Sequence, residues 1–295
     1  MSLLLDRKPT IDTFGMDNAP MNTAASHGQV LSARMLLRSD ADVNHSANHR
    51  IREWWNVTPL CSAVAGNGKG WLVPFLLAHD ALSKRFHANM DTSFHKAVRL
   101  KQTHTVRALL ESGAHIVLPT QDNKRPLEIA LHLGDPDLII TLLQYGADVH
   151  KSCGMEPCAL FYALWKGLGD IVQLLLEEYG VESDVEKVSP QGSTTLHCLS
   201  ASLIEDLGLI DLLFGYVTKV DAEDKQGGTA FHDAAIYGNT VIAKKLLEHG
   251  AMMHLQNHAG KTALDFAQER RYWGVVECLG GRKKSRWWRC EHFLM

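Results

Sequence analysis

Apolar residues in this chain come in short paired runs. In the stretch that begins at Thr229, Thr229 is a candidate helix cap, and apolar residues follow at Phe231, Ala234 and Ala235. Spacings of three and four place such residues on one face of a helix. The first helical position tolerates proline, as at Pro20, Pro59 and Pro126. The same apolar position recurs as Met21, Leu60, Phe94, Leu127, Leu160, Leu196, Phe231 and Leu264. Three residues on, Ala24, Ala63, Ala97, Ala130, Ala163, Ala234 and Ala267 repeat a small side chain, which lets a neighbouring helix approach closely. Gly28, Gly68, Gly134, Gly167 and Gly238 then end this first helix. A second apolar run comes next, such as Leu174-Leu175-Leu176, and stops at Gly113, Gly146, Gly180 or Gly250. Each unit therefore reads as two short helices and a loop.

The units start near residues 19, 58, 92, 125, 158, 194, 229 and 262, with steps of 39, 34, 33, 33, 36, 35 and 33. A period in this range predicts a stacked all-α array rather than a globular enzyme fold. Each unit of such an array touches only its neighbours, so function belongs on the long exposed surface. The expected organisation is an N-terminal extension over 1–18, an array over 19–280, and a basic, aromatic tail over 281–295.

Thr58-Pro59-Leu60, Thr229-Ala230-Phe231-His232 and Gly146-Ala147-Asp148-Val149-His150 resemble the opening and closing signatures of the ankyrin repeat. The resemblance implies a solenoid of L-shaped units, each a pair of antiparallel helices followed by a hairpin-like finger. It also implies a concave binding groove lined by first helices and fingers. His95, His197 and His232 take the histidine position of the signature and read as structural. The unit near 158 lacks Thr-Pro, and the unit near 194 has an irregular stretch over 200–208. These two are expected to be the softest part of the stack.

Composition narrows the function. A net charge of −3 gives no reason to expect nucleic acid. No run approaches the length of a membrane span. Six cysteines, four of them on ordinary repeat positions, read as free thiols in a reducing, intracellular compartment. That compartment is expected to be the cytoplasm, with the basic tail leaving nuclear import open. His150, Cys153 and Cys158 have zinc-binding residue types but no evident fourth ligand, so no metal and no cofactor is expected.

With the fold's own residues set aside, two zones of candidate binding residues remain. One is Lys96, Arg99, His132, Tyr162 and Trp165; the other is a smaller polar patch of Asp233, Tyr237, Glu269 and Arg270. The longest step between units inserts a finger over 45–57 that carries Trp54 and Trp55, aromatic residues of the kind that dominate binding sites. The leading reading is a non-catalytic scaffold whose groove holds a protein or peptide partner, with Lys96 and Arg99 favouring an acidic stretch. The alternative is a small-molecule site or a cofactor-free acid–base enzyme of the isomerase, cyclase, lyase or hydrolase type. There His132 would exchange protons, Tyr162 would donate one, and Arg99 or Lys96 would stabilise an oxyanion.

Overall fold

A computed structural model describes residues 12, 19–45, 57–66, 70–81, 93–120, 122–150, 159–181, 185, 188–202 and 204–280. Trp54, Trp55, Cys153, Cys158, the tail over 281–295 and all of the N-terminal extension except Asp12 lie outside the described residues. The chain divides into two compact units, Met1–Asp148 and Val149–Met295.

The first unit contains α1 (Pro20–Ser26), α2 (Val30–Arg38), α3 (Pro59–Ala65), α4 (Val73–Leu77), α5 (Ser93–Arg99), α6 (Thr103–Glu111), α7 (Pro126–Leu133) and α8 (Pro136–Gln144). The second contains α9 (Ala159–Trp165), α10 (Gly169–Glu178), α11 (Thr195–Ala201), α12 (Leu207–Tyr216), α13 (Ala230–Tyr237), α14 (Thr240–Glu248), α15 (Ala263–Glu269) and α16 (Trp273–Cys278). Among the described residues there is no β-strand, only an isolated bridge between Glu223 and Thr229. The fold is an all-α repeat solenoid. Odd-numbered helices form one row within each unit, α1 on α3 on α5 on α7 and α9 on α11 on α13 on α15. All of these except α11 also pack against the even-numbered helix next in the chain, as α5 does on α6 and α13 on α14.

These helices are too short to persist alone in water, so packing must hold them. The recurrent alanines show how. Ala24, Ala63, Ala97, Ala130, Ala163, Ala234 and Ala267 are all buried, with 0–3 % of their surface exposed. Large side chains such as Phe94, Leu138, Leu160 and Phe231 fill the space between the rows. At the end of α3 the approach is closer still. A Cβ on Gly66 would sit 2.1 Å from the Ser26 carbonyl oxygen. Where the chain turns from an odd helix to an even one, Gly134 and Gly238 adopt φ of 63° and 73°, the left-handed region that only glycine enters without strain. Lys101 and Arg271 take the same conformation, at φ of 55° and 62°, despite carrying side chains.

The fingers of the second unit join in register. Ser189–Ser193, Asp224–Gly228 and Asn257–Lys261 each close a turn through a backbone bond between their first N–H and last C=O. Lys225 N–H donates to the Gln191 carbonyl at 2.8 Å, and His258 N–H donates to the Gln226 carbonyl at 2.9 Å. The signature histidines tie these fingers to the helices. In α13, the Thr229 amide donates to His232 Nδ1 at 3.0 Å, so the ring proton is on Nε2, which donates to the Lys261 carbonyl at 3.1 Å. His197 repeats the arrangement between the Thr194 amide and the Gly228 carbonyl. His95 Nε2 lies 2.8 Å from the Leu118 carbonyl. Burial holds the His197 pKa below its ordinary value, although the bond to Gly228 and the charge of Asp224 work the other way.

The ring ties and the close helix approach each set a stability outcome. His232→Ala strips the Thr229 amide of its ring acceptor, takes one of two donors from the Lys261 carbonyl and leaves a void. It should cost about 2–4 kcal/mol, read from the denaturant midpoint. Gly66→Ala should cost about 1–3 kcal/mol, because the added methyl meets main chain rather than a movable side chain. A thermal melt indistinguishable from the parent would contradict that packing.

Candidate functional site

The candidate residues fall in both compact units: Lys96, Arg99 and His132 in the first, Tyr162, Trp165, Asp233 and Tyr237 in the second.

In the first unit, Lys96 is half-buried and Arg99 exposed at the end of α5. An Arg99 guanidinium nitrogen lies 3.9 Å from an Asp122 carboxylate oxygen, a pair open to solvent and worth little by itself. His132 is exposed in the last turn of α7. Among the described residues its imidazole has no hydrogen-bond or ionic partner. A general acid or base needs a neighbour that orients its ring, and the described part of this unit supplies none.

In the second unit, the expectation that Tyr162 lies open on the surface is corrected. Tyr162 is 7 % exposed, because the α9 face from Ala159 to Leu164 is buried throughout. Its ring fills the core and is not a surface anchor. Trp165, one turn further on, is 57 % exposed, and Tyr237, at the corresponding end of α13, is 58 % exposed. α11 packs against both α9 and α13. The Lys166 ammonium lies 4.8 Å from the centre of the Trp165 ring, a favourable placement of a cation over an aromatic face.

Asp233 is half-buried in the first turn of α13. Burial, with the nearby Asp224 charge, pushes its carboxyl up to about 7. Asp224 is itself fixed in the preceding finger, where its Oδ1 accepts from the Gln226 and Gly228 amides at 2.8 and 2.7 Å. Sequence reasoning overlooked Asp224; the Asp before Gly227-Gly228 is the signal of a side chain folded onto its own turn. Among the described residues no group of three His, Cys, Asp or Glu side chains is arranged to hold a metal ion.

The model for "Ankyrin repeats (3 copies)" matches residues 60–153 and 196–284, more than half of the chain. The chain belongs to the ankyrin-repeat family. Its relatives include human ankyrin repeat and SOCS box protein 14, 30 % identical over 49 % of this chain and 25 % of the relative. Human inversin is 30 % identical over 50 % of this chain and 14 % of the relative. Bovine dynein axonemal heavy chain 12 is 32 % identical over 45 % of this chain and 36 % of the relative. The chain thus spans well under half the length of each. Ankyrin repeats generally mediate protein–protein interaction, and the family implies protein partners for this chain. Among the described residues no helix is long and apolar enough to cross a membrane.

The position of Asp233 makes a pH outcome explicit. The folded chain binds this proton up to about 7, whereas an unfolded Asp releases it near 3.8. The folded state therefore gains from the held proton at acid pH and loses that gain as pH rises through this window. Asp233→Asn should flatten this part of the stability–pH curve and raise stability at pH 8. The check is denaturant unfolding of both proteins from pH 4 to pH 8.

Proposed function

We propose that the chain is a non-catalytic interaction module that captures a protein or peptide on the odd-numbered helices α9 to α13 of its second unit. The observation that carries this reading is the exposure of Trp165 and Tyr237 at equivalent ends of α9 and α13. Large aromatic side chains left in water are the usual anchors of a protein interface, since they bury much area with little loss of side-chain freedom. Lys166 beside Trp165, and Lys96 and Arg99 in the first unit, favour a partner with an acidic stretch. The groove implied by the family is the setting for this capture, and Trp54 and Trp55 in the inserted finger are further anchors. Among the described residues Cys61, Cys198 and Cys278 are in no disulfide, which supports an intracellular, reducing setting. His132, exposed and without a partner among the described residues, and the buried Tyr162 give no support to the acid–base alternative.

The test is capture of partners by the full chain and by a Trp165→Ala/Tyr237→Ala variant with the parent's thermal melt. A protein bound by the parent should be held about tenfold or more weakly by the variant. Equal affinity for both would move the binding surface away from these helices.

A further inference from the structure

At the surface of the first unit, α2 and the turn that leads into α4 leave large apolar side chains in water. Leu31 is 75 % exposed, Met35 68 % and Trp71 78 %. Leu31 and Met35 stand about one turn apart on α2 and so share a face. Arg34 lies between them, and its guanidinium is 5.9 Å from the centre of the Phe75 ring, which sets α4 beside this face of α2. Leu31, Trp71, His104 and Asp137 stand at the same distance ahead of Asp40, Asp80, Gly113 and Gly146, the left-handed residues that follow α2, α4, α6 and α8. Trp71 is therefore the counterpart of Leu31 in the neighbouring repeat, as Phe75 is of Met35. The two later even-numbered helices of the unit hold a polar side chain where the first two hold Leu and Trp. Single apolar residues on a surface need no explanation, but a contiguous group of them marks an interaction site.

The charges on this face say what covers it. Neither α2 nor α4 contains an acidic residue. Arg34 and Arg38, about one turn apart on α2, are both exposed, and neither makes a salt bridge among the described residues. A second copy of the chain fits poorly. Setting Leu31 of each copy on Met35 of the other brings the two Arg34 side chains together, with no acid on either helix to relieve them. The chain's own segments outside the described residues carry the wrong charge. Residues 281–295 hold five Lys or Arg and one Glu, and residues 1–11 hold Arg7 and Lys8 against Asp6. A flat anionic lipid surface would press on Asp40 and Asp80, which are exposed just past the ends of α2 and α4. A single acidic helix can end short of both and still reach the arginines.

The backbone decides the form of the partner. Helices pair their backbone groups internally, so this face offers no edge for strand addition. Two adjacent helices instead leave a furrow that a third helix can fill with apolar residues three and four positions apart. Arginine side chains beside that furrow favour carboxylates, which they can hold through paired hydrogen bonds. We propose that the face formed by α2 and α4 binds an acidic amphipathic helix of a partner protein. Its apolar stripe lies on Leu31, Met35 and Trp71, and its carboxylates lie over Arg34 and Arg38. This surface belongs to the first unit, whereas Trp165 and Tyr237 belong to the second, so it stands or falls apart from the capture proposed there.

The test is fluorescence anisotropy of a dye-labelled synthetic peptide of about five helical turns, with Leu at i, i+3, i+4 and i+7 and Glu on its other faces. A twin peptide has Lys in place of every Glu. The full chain should bind the Glu peptide in preference to the Lys twin, and the Glu peptide should gain helix on binding, read by circular dichroism. Arg34→Glu/Arg38→Glu should reverse the preference. Leu31→Ala/Trp71→Ala, with the parent's thermal melt, should weaken binding about tenfold or more. Trp165→Ala/Tyr237→Ala should bind the Glu peptide as the parent does. No binding at about 1 mM peptide, equal binding of the two peptides, or equal binding by the parent and Leu31→Ala/Trp71→Ala would overturn the proposal. Parent dimers in sedimentation that Leu31→Ala/Trp71→Ala abolishes would overturn it in favour of a second copy. Binding to phosphatidylserine vesicles that is tighter than to the Glu peptide and lost in the same variant would overturn it in favour of a lipid surface.

Discussion

An imidazole ring ties the first helix of a repeat to the finger that closes it. At His197 and His232, one ring nitrogen accepts from the amide at the start of the ring's own helix, and the other donates to the finger carbonyl just before the next helix cap. Two backbones are fixed at once, the start of one helix and the finger that leads into the next. Only a neutral ring can do both, because a proton on Nδ1 would face the capping amide. Burial of His197 favours that neutral form. The helices these rings anchor are short, and short helices survive only through their packing. The alanine seams and the finger ladder of the second unit both require the register that the rings set.

This economy separates folding from function. The residues that hold the array are alanines, glycines, capping threonines and histidines whose bonding capacity is already committed. What remains at the surface is under no structural obligation, so side chains there can specialise without cost to the stack. Trp165 and Tyr237 are exposed at the ends of well-packed helices. Arg107 is exposed on a helix that contributes Val106 and Leu109 to the core. In both cases a rigid element carries a side chain that packing did not need.

The array was legible in the sequence because its cause is periodic. Any one repeat is ambiguous, but the alanine at the same offset in unit after unit can only mean a shared seam. The all-α fold and the family are consequences of that repetition. The chemistry of the surface was less legible, because it depends on rotation about a helix axis. Tyr162 and Asp233 occupy equivalent sequence positions, yet Tyr162 is 7 % exposed whereas Asp233 is half-buried. The α9 face is apolar almost all round and draws its tyrosine inward. Asp224 was readable only as turn chemistry, although its charge also reaches Asp233.

The ring ties also give the solenoid a direction. Each ring takes its first bond from the start of its own helix and extends the second forward, to the last carbonyl of the finger that ends its own repeat. The very next residue, Thr229 or Thr262, caps the following helix. Where a stack is cut therefore matters to within a few residues. A chain that stops just after the carbonyl keeps its ring fully bonded, whereas one that stops inside the finger leaves a buried donor with no acceptor. The residue pair at each such junction, Gly228-Thr229 or Lys261-Thr262, is the place where whole repeats can be removed or added with every ring bond preserved.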